Sequence, residues 1–452
     1  MENGKCMDSV FVRKLIQFAL PAAIQQLTAT VVRVADTFML GAIDQTAMAA
    51  VSLALEVQNV HSYVVSALII VTGVFVAQYM GKQNREAVER VFAIGARICG
   101  IASLVFVLSA LLVPKWLMGL FTNDGNMIDL GAEYLRSSSP VYFFYGIAWI
   151  YHSMMKNSGR AVQSAAISSV CIILKLFLNG VFLFGWFELP KMDIYGVALA
   201  TVVYNGIEML AVLTDSLPKD RIKLRAAYLI SIERCLQKDF SKYLYPVLAE
   251  MMSWGVGFTV CMTIIGRLGE DVVAANSLAI TVKNVTGSLY MGFQTASGTI
   301  LGFELGAGNL RKAREYGDKI VKISMCFGFL AAGLCAVSRF MVVAIVDMTA
   351  VAAGYLPWIF AMCAIYMIGQ SCNAIVNGGI LSAGGDSKFS FWCDTISMWG
   401  VVIPCGMLAA FFFELPVLVV CFIIYADDLI KLPWVVKRYR KYKWVRNLTA
   451  DR

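Results

Sequence analysis

The chain has 452 residues, of which 59% are hydrophobic and only 15% charged, and its mean hydropathy is +0.70. Soluble domains carry about 25% charged residues, so this composition excludes an ordinary soluble protein. The formal net charge of +8 does not require a nucleic-acid partner, because the basic residues gather in the short segments between apolar runs.

Apolar runs recur along the whole sequence, and each can cross roughly 30 Å of hydrocarbon as an α-helix of about 20 residues. The strands of a membrane barrel would instead alternate in polarity over about 10 residues. We therefore predict an all-α polytopic membrane protein. Its twelve transmembrane helices are predicted at residues 12–40, 50–80, 89–113, 133–156, 162–187, 194–216, 240–267, 271–305, 314–346, 351–383, 388–413 and 416–436.

Lysine and arginine favour the segments on the cytoplasmic side of a membrane. With the N-terminus placed inside, the inside segments hold 29 of these residues and the outside segments hold 5, while 4 lie within predicted spans. The sequence therefore predicts a multi-pass membrane protein with both termini in the cytoplasm.

The sequence repeats itself at an offset of 225 positions. Between residues 21 and 84, fourteen of 64 positions are identical without a gap, including Pro21 with Pro246 and Asn84 with Asn309. Two parallel repeats of six helices that enclose a site near the midplane are typical of a secondary transporter. The predicted division is an N-terminal lobe, a charged cytoplasmic linker, and a C-terminal lobe with a basic tail, at residues 1–216, 217–239 and 240–452.

Polar residues form one helical face on the second span and again at the repeated position on the eighth span. Because polar groups in lipid are costly, we expect both faces to look inward. They either line the substrate cavity or join helices by hydrogen bonds, and the sequence does not decide between these. The face on the second span has Ser52, Glu56, Asn59 and Tyr63, and the repeated face has Ser277, Thr281, Asn284 and Ser288.

Two carboxylates lie within predicted first spans of the two halves, Asp36 and Glu250. Ionisable residues inside a membrane are functional by default, so we predict that both take part in ion coupling. Asp36 has two candidate partners, Arg33 three residues earlier and Lys175 on the fifth span. For Glu250, a hydrogen bond to a neighbouring hydroxyl is the structural alternative.

The fifth span places Lys175 and Asn179 one helical turn apart. We hypothesise that the Lys175 ammonium lies against Asp36 and takes the place of a bound cation; the alternative is that it extends to the membrane interface. The tenth span carries Asn373 and Asn377 at the same spacing, and we predict that both line the cavity.

The sequence indicates less about the roles of the remaining polar residues of the spans. Glu208 is a further intramembrane acid without an assigned role, and Asp427 and Asp428 are expected at the membrane interface. His61 is expected to be either a packing residue or a cavity residue. With only two histidines and no hydrolase, zinc-protease or phosphate-binding motif, the sequence predicts that the protein is not an enzyme.

Several stretches together resemble the bacterial multidrug and toxic compound extrusion (MATE) family. The stretches are LPAAIQQLTATVVRVADTFMLG, AQYMGKQNREAVERV, MKNSGRAVQSAAISSV, NGVFLFGWFELPKMDIYGVALATVVYN, GGILSAGGDSKFSF and KWVRNLT. The resemblance implies a V-shaped pair of six-helix lobes that exports amphiphilic, often cationic compounds by alternating access. It also implies that Asp36 is the coupling carboxylate of the N-terminal lobe and that Glu250 belongs to a cation site of the other lobe.

The chain departs from the family pattern at two places. Relatives carry an Asn and an Asp or Asn where this chain has Lys175 and Asn179, and some carry an aspartate near the position of Ser371. The coupling ion is therefore left open between H⁺ and Na⁺, with Glu250 as the candidate Na⁺ ligand.

Apart from such an ion, no cofactor is expected. The predicted partners are small-molecule substrates and membrane lipid, and we expect a monomer. The alternative function is a flippase of a lipid-linked precursor.

Overall fold

The computed structural model describes residues 2–40, 45–188, 192–218, 220–231, 233–345 and 348–450, and these ranges contain helices and no β-strand. Gly41 and residues 189–191, which belong to two of the quoted stretches, and Lys219 of the predicted linker lie outside the described residues. The helices up to residue 231 are α1 (Glu2–Leu40), α2 (Gln45–Gly81), α3 (Arg85–Leu112), α4 (Pro114–Gly119), α5 (Gly125–Ser138), α6 (Pro140–Asn157), α7 (Ala161–Phe184), α8 (Asp193–Asp215) and α9 (Ala226–Ile230).

The rest of the chain is equally helical, but three of its segments have π-helical hydrogen bonding. Such segments are uncommon and are frequent at functional sites. They are Ala374–Leu381, Ile396–Val402 and Leu408–Phe412. The α-helices here are α10 (Arg234–Gly266), α11 (Glu270–Gly306), α12 (Leu310–Ile345), α13 (Ala350–Asn373), α14 (Ser387–Thr395), α15 (Ile403–Met407), α16 (Val417–Tyr425) and α17 (Asp427–Arg440).

Nine helical segments among the described residues are long and apolar enough to cross a membrane. The other three predicted spans, 133–156, 271–305 and 416–436, also fall on helices. The first and third are each broken into two helices, at Ser139–Pro140 between α5 and α6 and at Ala426 between α16 and α17. The second is α11, which carries Lys283 and Glu304 among its apolar residues.

The sequence repeat is also a repeat of helix boundaries. Helix α2 and helix α11 both have 37 residues, and each boundary of α2 lies 225 positions before that of α11. In the loops that follow, Gln83 and Gly308 are related by the same offset, and both adopt left-handed backbone angles, with φ of 60° and 77°. Glycine adopts this conformation without steric cost, so the turn geometry is retained although one copy has glutamine.

Contacts within the chain divide it into two compact units. The N-terminal unit comprises residues 28–244, and the C-terminal unit comprises residues 1–27 and 245–452. Helices α1 and α10 therefore each contribute residues to both units. The predicted lobe boundaries, which rest on the sequence repeat, stay a prediction.

The core of the N-terminal unit lies between α2, α5 and α8, where Ala54, Leu135 and Ala198 are buried. In the C-terminal unit, the start of α1 packs into the largest core, and the ring of Phe11 lies 4.6 Å from that of Tyr316. Because the helices bury apolar faces in the core of each unit, the polar residues on the same helices require a separate explanation.

The charged segment that follows each half folds back onto its own unit. In the N-terminal unit, Arg225 forms an ion pair of 2.6 Å with the buried Glu89 of α3. In the C-terminal unit, Arg438 donates two hydrogen bonds to Asp386, at 2.6 and 2.8 Å, and Trp444 is fully buried. Both segments thus hold the ends of transmembrane helices in place.

Candidate functional site

Asp36 of α1 lies against two side chains of α7. The Lys175 ammonium forms an ion pair with Asp36 Oδ2, and Asn179 Nδ2 donates to Asp36 Oδ1 over 2.8 Å. Lys175 and Asn179 can both reach the carboxylate because they are one turn apart on the same helix face. The contact between Lys175 and Asp36 that we hypothesised is therefore present, whereas its role in ion coupling stays a prediction.

The surroundings of this ion pair are largely shielded from solvent. The side chains of Asp36 and Lys175 are 14% and 19% exposed, and the Lys175 ammonium lies 5.6 Å from the centroid of the Tyr204 ring. Asn179 Oδ1 is buried and has no hydrogen-bond partner among the described residues. Arg33, the other candidate partner, is exposed, and its charge acts on Tyr145.

A second cluster of charges lies in the C-terminal unit around one lysine. The Lys431 ammonium is 3.0 Å from Asp394 Oδ1, 2.8 Å from Asp427 Oδ2 and 3.2 Å from Asp428 Oδ1. Lys431, Asp427 and Asp428 are 4%, 4% and 6% exposed. The structure buries the side chains of both adjacent aspartates next to Lys431; their predicted position at the membrane interface stays a prediction.

Glu250 extends this cluster. The half-buried Glu250 side chain lies close enough to Asp394 and Lys431 to interact electrostatically with both. The structural alternative for Glu250, a hydrogen bond to a neighbouring hydroxyl, stays open, and its role in ion coupling stays a prediction.

Two polar side chains fix the aspartates at the start of α17. Asn373 Nδ2 donates to the backbone oxygen and to Oδ1 of Asp428, over 2.7 and 2.9 Å, and Ser397 Oγ donates to Asp427. Asn373 is the last residue of α13 before a π-helical segment, and Ser397 lies within the next such segment. The π-helical turns therefore coincide with the side chains that hold the acidic cluster.

Asn377 was predicted to line the cavity together with Asn373. Its side chain is buried, and its Oδ1 accepts a 2.7 Å hydrogen bond from Ser390 of α14. Both asparagines therefore make hydrogen bonds between segments of the C-terminal unit. A role for either in the cavity stays a prediction.

The polar faces of α2 and α11 differ in how their side chains are used. Thr281 Oγ1 and Ser288 Oγ donate to backbone oxygens of α11 itself, over 2.9 and 2.6 Å. Asn59 and Asn284, which are related by the repeat, are both exposed. The face on α2 also has Glu56 and Tyr63, which are half-buried and interact electrostatically.

An aromatic cleft lies beside the acidic cluster in the C-terminal unit. The rings of Trp254 and Phe258 are stacked at 5.6 Å, and the Lys283 ammonium lies 4.9 Å from the centroid of the Tyr366 ring. Asp427 also contributes to the wall of this cleft. Methionine and aromatic side chains give such a surface the ability to accept flat apolar groups of different shapes. The remaining lining residues are Cys261, Met262, Ile280, Met398, Ile424 and Tyr425.

Sequence reasoning missed Asp394 and the role of Lys431. A signal was available for both, since Asp394 interrupts the apolar run FWCDTISMW and Lys431 follows Asp427 and Asp428 at helical spacing. What the sequence could not indicate is that α14 brings Asp394 to the same point. Among the described residues, no group of three or more His, Cys, Asp and Glu side chains is arranged to hold a metal ion.

An all-helical membrane protein with repeated halves and charged side chains buried inside each unit has the architecture of a secondary transporter. The chain belongs to the MATE family of transporters, since the MatE family model matches residues 21–181 and 246–408. This confirms both the family resemblance and the fold class predicted from the sequence.

Individual relatives agree with this membership. The chain is 23% identical over 422 residues to the uncharacterized transporter YisQ of Bacillus subtilis, which covers 91% of this chain and 90% of the relative. It is 20% identical to the multidrug resistance protein MdtK of Yersinia enterocolitica, over 88% of this chain and 87% of the relative. The Vibrio cholerae MATE transporter VcmN, solved as a mutant, matches with a TM-score of 0.88 at 16% identity, over 96% of this chain and 98% of the solved one.

Proposed function

We propose that the protein is a secondary active antiporter that exports amphiphilic organic cations from the cytoplasm in exchange for H⁺, by alternating access. The ion pair between Lys175 and Asp36 carries the proposal. MdtK is named as a multidrug resistance protein, and that name supports export of foreign compounds by this chain as well.

In the N-terminal unit, the Lys175 ammonium occupies the position next to Asp36 that a free cation would need. A Na⁺ ion would have to displace a tethered positive charge, whereas a proton can bind Asp36 directly and release Lys175. Loss of a close opposite charge changes which arrangement of α1 and α7 is favoured. Coupling requires only that the two conformations of the transport cycle differ in their affinity for the ion. The coupling ion of this unit is therefore H⁺.

In the C-terminal unit, four acids surround one lysine. Three of these acids pair with Lys431 directly, so their combined capacity for negative charge exceeds the single positive charge of that lysine. Buried excess charge is costly unless a cation neutralises it. This unit therefore binds a further cation during the cycle, which is a second proton or, if transport depends on Na⁺, a Na⁺ ion at Glu250.

The substrate binds to surfaces that suit a flat organic cation. The aromatic cleft presents ring faces that attract cationic groups, and Asp427 supplies a negative charge on its wall. Asn284 of α11, in the same unit as the cleft, is exposed. Both termini lie in the cytoplasm, in agreement with the concentration of basic residues in the inside segments.

The test uses purified protein in liposomes loaded with a fluorescent organic cation. A pH gradient and a Na⁺ gradient are imposed separately, and a third set of vesicles contains a fluorescent lipid. We expect the pH gradient to drive dye movement and Asp36→Asn to abolish it. Asp129→Asn is the matched control, because Asp129 forms an exposed ion pair with Lys115 on the surface of the same unit.

Each outcome has a clear meaning. Full activity of Asp36→Asn would refute coupling through Asp36, and dye movement driven by Na⁺ alone would refute H⁺ as the coupling ion. Movement of the lipid without movement of the dye would replace efflux by the flippase function.

A further inference from the structure

A buried histidine and a buried glutamate form a separate ionisable site in the N-terminal unit. His152 of α6 is fully buried, and Glu208 of α8 is 2% exposed. His152 Nε2 lies 3.1 Å from Glu208 Oε1, and His152 Nδ1 lies 2.9 Å from Ser164 Oγ of α7. Three helices thus meet at one imidazole ring, and the ion pair between Asp36 and Lys175 does not use it.

The site is built so that the imidazole can gain or lose a proton without losing a hydrogen bond. Ionised Glu208 only accepts, so Nε2 carries a hydrogen and donates to it, while Nδ1 of the neutral ring accepts from the Ser164 hydroxyl. When a proton binds Nδ1, that nitrogen donates to Ser164 Oγ instead. The hydroxyl hydrogen can then turn to the backbone oxygen of Arg160, which already accepts from the Ser164 backbone N–H.

The other histidine of the chain lacks this arrangement. His61 is also fully buried, and its Nε2 lies 3.0 Å from Ser103 Oγ. Its Nδ1 has no hydrogen-bond partner among the described residues. A proton added to that nitrogen would be buried without an acceptor, which is strongly unfavourable. The two histidines therefore provide a matched pair of sites, of which only one is suited to proton uptake.

Ionisable side chains lie on both sides of this site, toward the ion pair and toward the cytoplasm. Tyr204 lies one turn before Glu208 on α8, interacts electrostatically with both Glu208 and Asp36, and lies under the Lys175 ammonium. Lys156 lies one turn after His152 and is also within the field of Glu208. The other ionisable groups that feel the Glu208 charge are Tyr145 and Cys171.

Positions along α7 indicate on which side of the ion pair the site with His152 lies. Ser164 is in the first turn of α7, and Lys175 is eleven residues further, or roughly 16 Å at about 1.5 Å per residue. In the predicted orientation, α7 begins on the cytoplasmic side. The site with His152 therefore lies between the cytoplasm and the ion pair of Asp36 and Lys175.

We propose that His152 and Glu208 form a second protonation site, which receives the proton released from Asp36 and holds it before it enters the cytoplasm. The proton binds Nδ1 of the neutral imidazole to give an imidazolium paired with Glu208, and it leaves from the same nitrogen. This inference rests on the proposed H⁺ antiport, and it adds a group that moves the proton after Asp36 has bound it.

Nuclear magnetic resonance of protein labelled with ¹⁵N in histidine tests the proposal directly, because the chain has only two histidines. In the variant His61→Gln, the remaining signal belongs to His152. We expect it to show a charged form of the ring, with the added proton on Nδ1, when the pH is lowered. In His152→Gln, the remaining His61 signal should show only the neutral ring under the same conditions, because its Nδ1 faces no acceptor among the described residues.

Transport measurements then test the role of the site. Under a pH gradient, His152→Gln and Glu208→Gln should each lower proton-coupled dye export at least tenfold, while substrate binding is retained and His61→Gln exports like the original protein. Glu208→Gln keeps the size of the side chain, and therefore serves if His152→Gln does not fold.

The proposal is overturned if the His152 signal keeps one charge state at every pH at which the protein stays folded. It is also overturned if His152 titrates but both variants export with the original pH dependence. The titration does not depend on transport, so failure of the H⁺ antiport itself, seen as full activity of Asp36→Asn, is distinguishable from failure of this site.

Discussion

Replacing Lys175 by asparagine should add or strengthen a Na⁺ dependence of transport. The change removes the ammonium from Asp36, and the new amide can supply an oxygen in its place. Asp36 and the buried Asn179 Oδ1, which lacks a hydrogen-bond partner among the described residues, supply two further oxygens. Carboxylate and amide oxygens are suitable ligands for hard cations.

The magnitude follows from the burial of the pair. Asp36 and Lys175 are only 14% and 19% exposed, and removal of one partner of a buried pair costs at least about 3 kcal/mol. A cation that binds Asp36 in the variant recovers this free energy. Because about 1.4 kcal/mol corresponds to a tenfold change in a binding constant, cation affinity at this site should increase roughly 100-fold.

The assay measures dye export from liposomes and the thermal midpoint of the purified protein, each in Na⁺ and in choline at equal ionic strength. Lys115→Asn is the matched control, because Lys115 and Asp129 form a pair of 2.7 Å with side chains 64% and 66% exposed, and exposed pairs contribute about 0–1 kcal/mol. Equal Na⁺ and pH dependence in Lys175→Asn and in the original protein would refute the role of Lys175 as a tethered cation.

Three further predictions concern the C-terminal unit. Glu250→Cys, in a background without other cysteines, should react with a small water-soluble thiol reagent in at least one conformation, and complete protection in all conformations would indicate a purely structural acid. Lys431→Met leaves buried acids without their counter-charge, so the thermal midpoint should fall sharply, and the further change Asp427→Asn should partly restore it; an unchanged midpoint would contradict the burial of this charge. Trp444→Ala should cost about 3–5 kcal/mol of stability, whereas Trp434→Ala, at a residue that is 41% exposed, should cost far less; equal thermal midpoints would contradict docking of the tail.

Much of the fold could be predicted because the membrane restricts the choices. Long apolar runs must be helices in lipid. The repeat at 225 positions predicts from the sequence alone that α2 and α11 correspond to each other. The contact of Lys175 with Asp36 was also within reach of the sequence, since an intramembrane lysine needs a partner and few acids were available to it.

The sequence could not predict which helices far apart in the chain contact each other. Asp394 and Lys431 meet because α14 and α17 pack in the C-terminal unit, and no regularity in the sequence relates their positions. The π-helical segments beside Asn373 and Ser397 likewise follow from local backbone adjustments that hydrophobic periodicity does not reveal. The meeting of His152, Glu208 and Ser164 from three helices is of the same kind.

Both units hold a lysine against buried aspartates, yet these lysines did not arise from the sequence repeat. The residues 225 positions from Lys175 and from Lys431 are Gly400 and Gly206, so neither lysine has a lysine as its counterpart at that offset. The local charge balance also differs, because one lysine faces one aspartate in the N-terminal ion pair, whereas four acids surround Lys431.

A proton that arrives at the balanced pair creates a new positive charge and breaks the pair, so it acts as a switch. A cation that arrives at the acidic cluster removes an existing excess of negative charge, so it stabilises the arrangement that is already present. The two units therefore respond to the same proton gradient in different ways, and we expect Asp36→Asn to abolish coupling while single substitutions in the acidic cluster mainly change the pH range of transport.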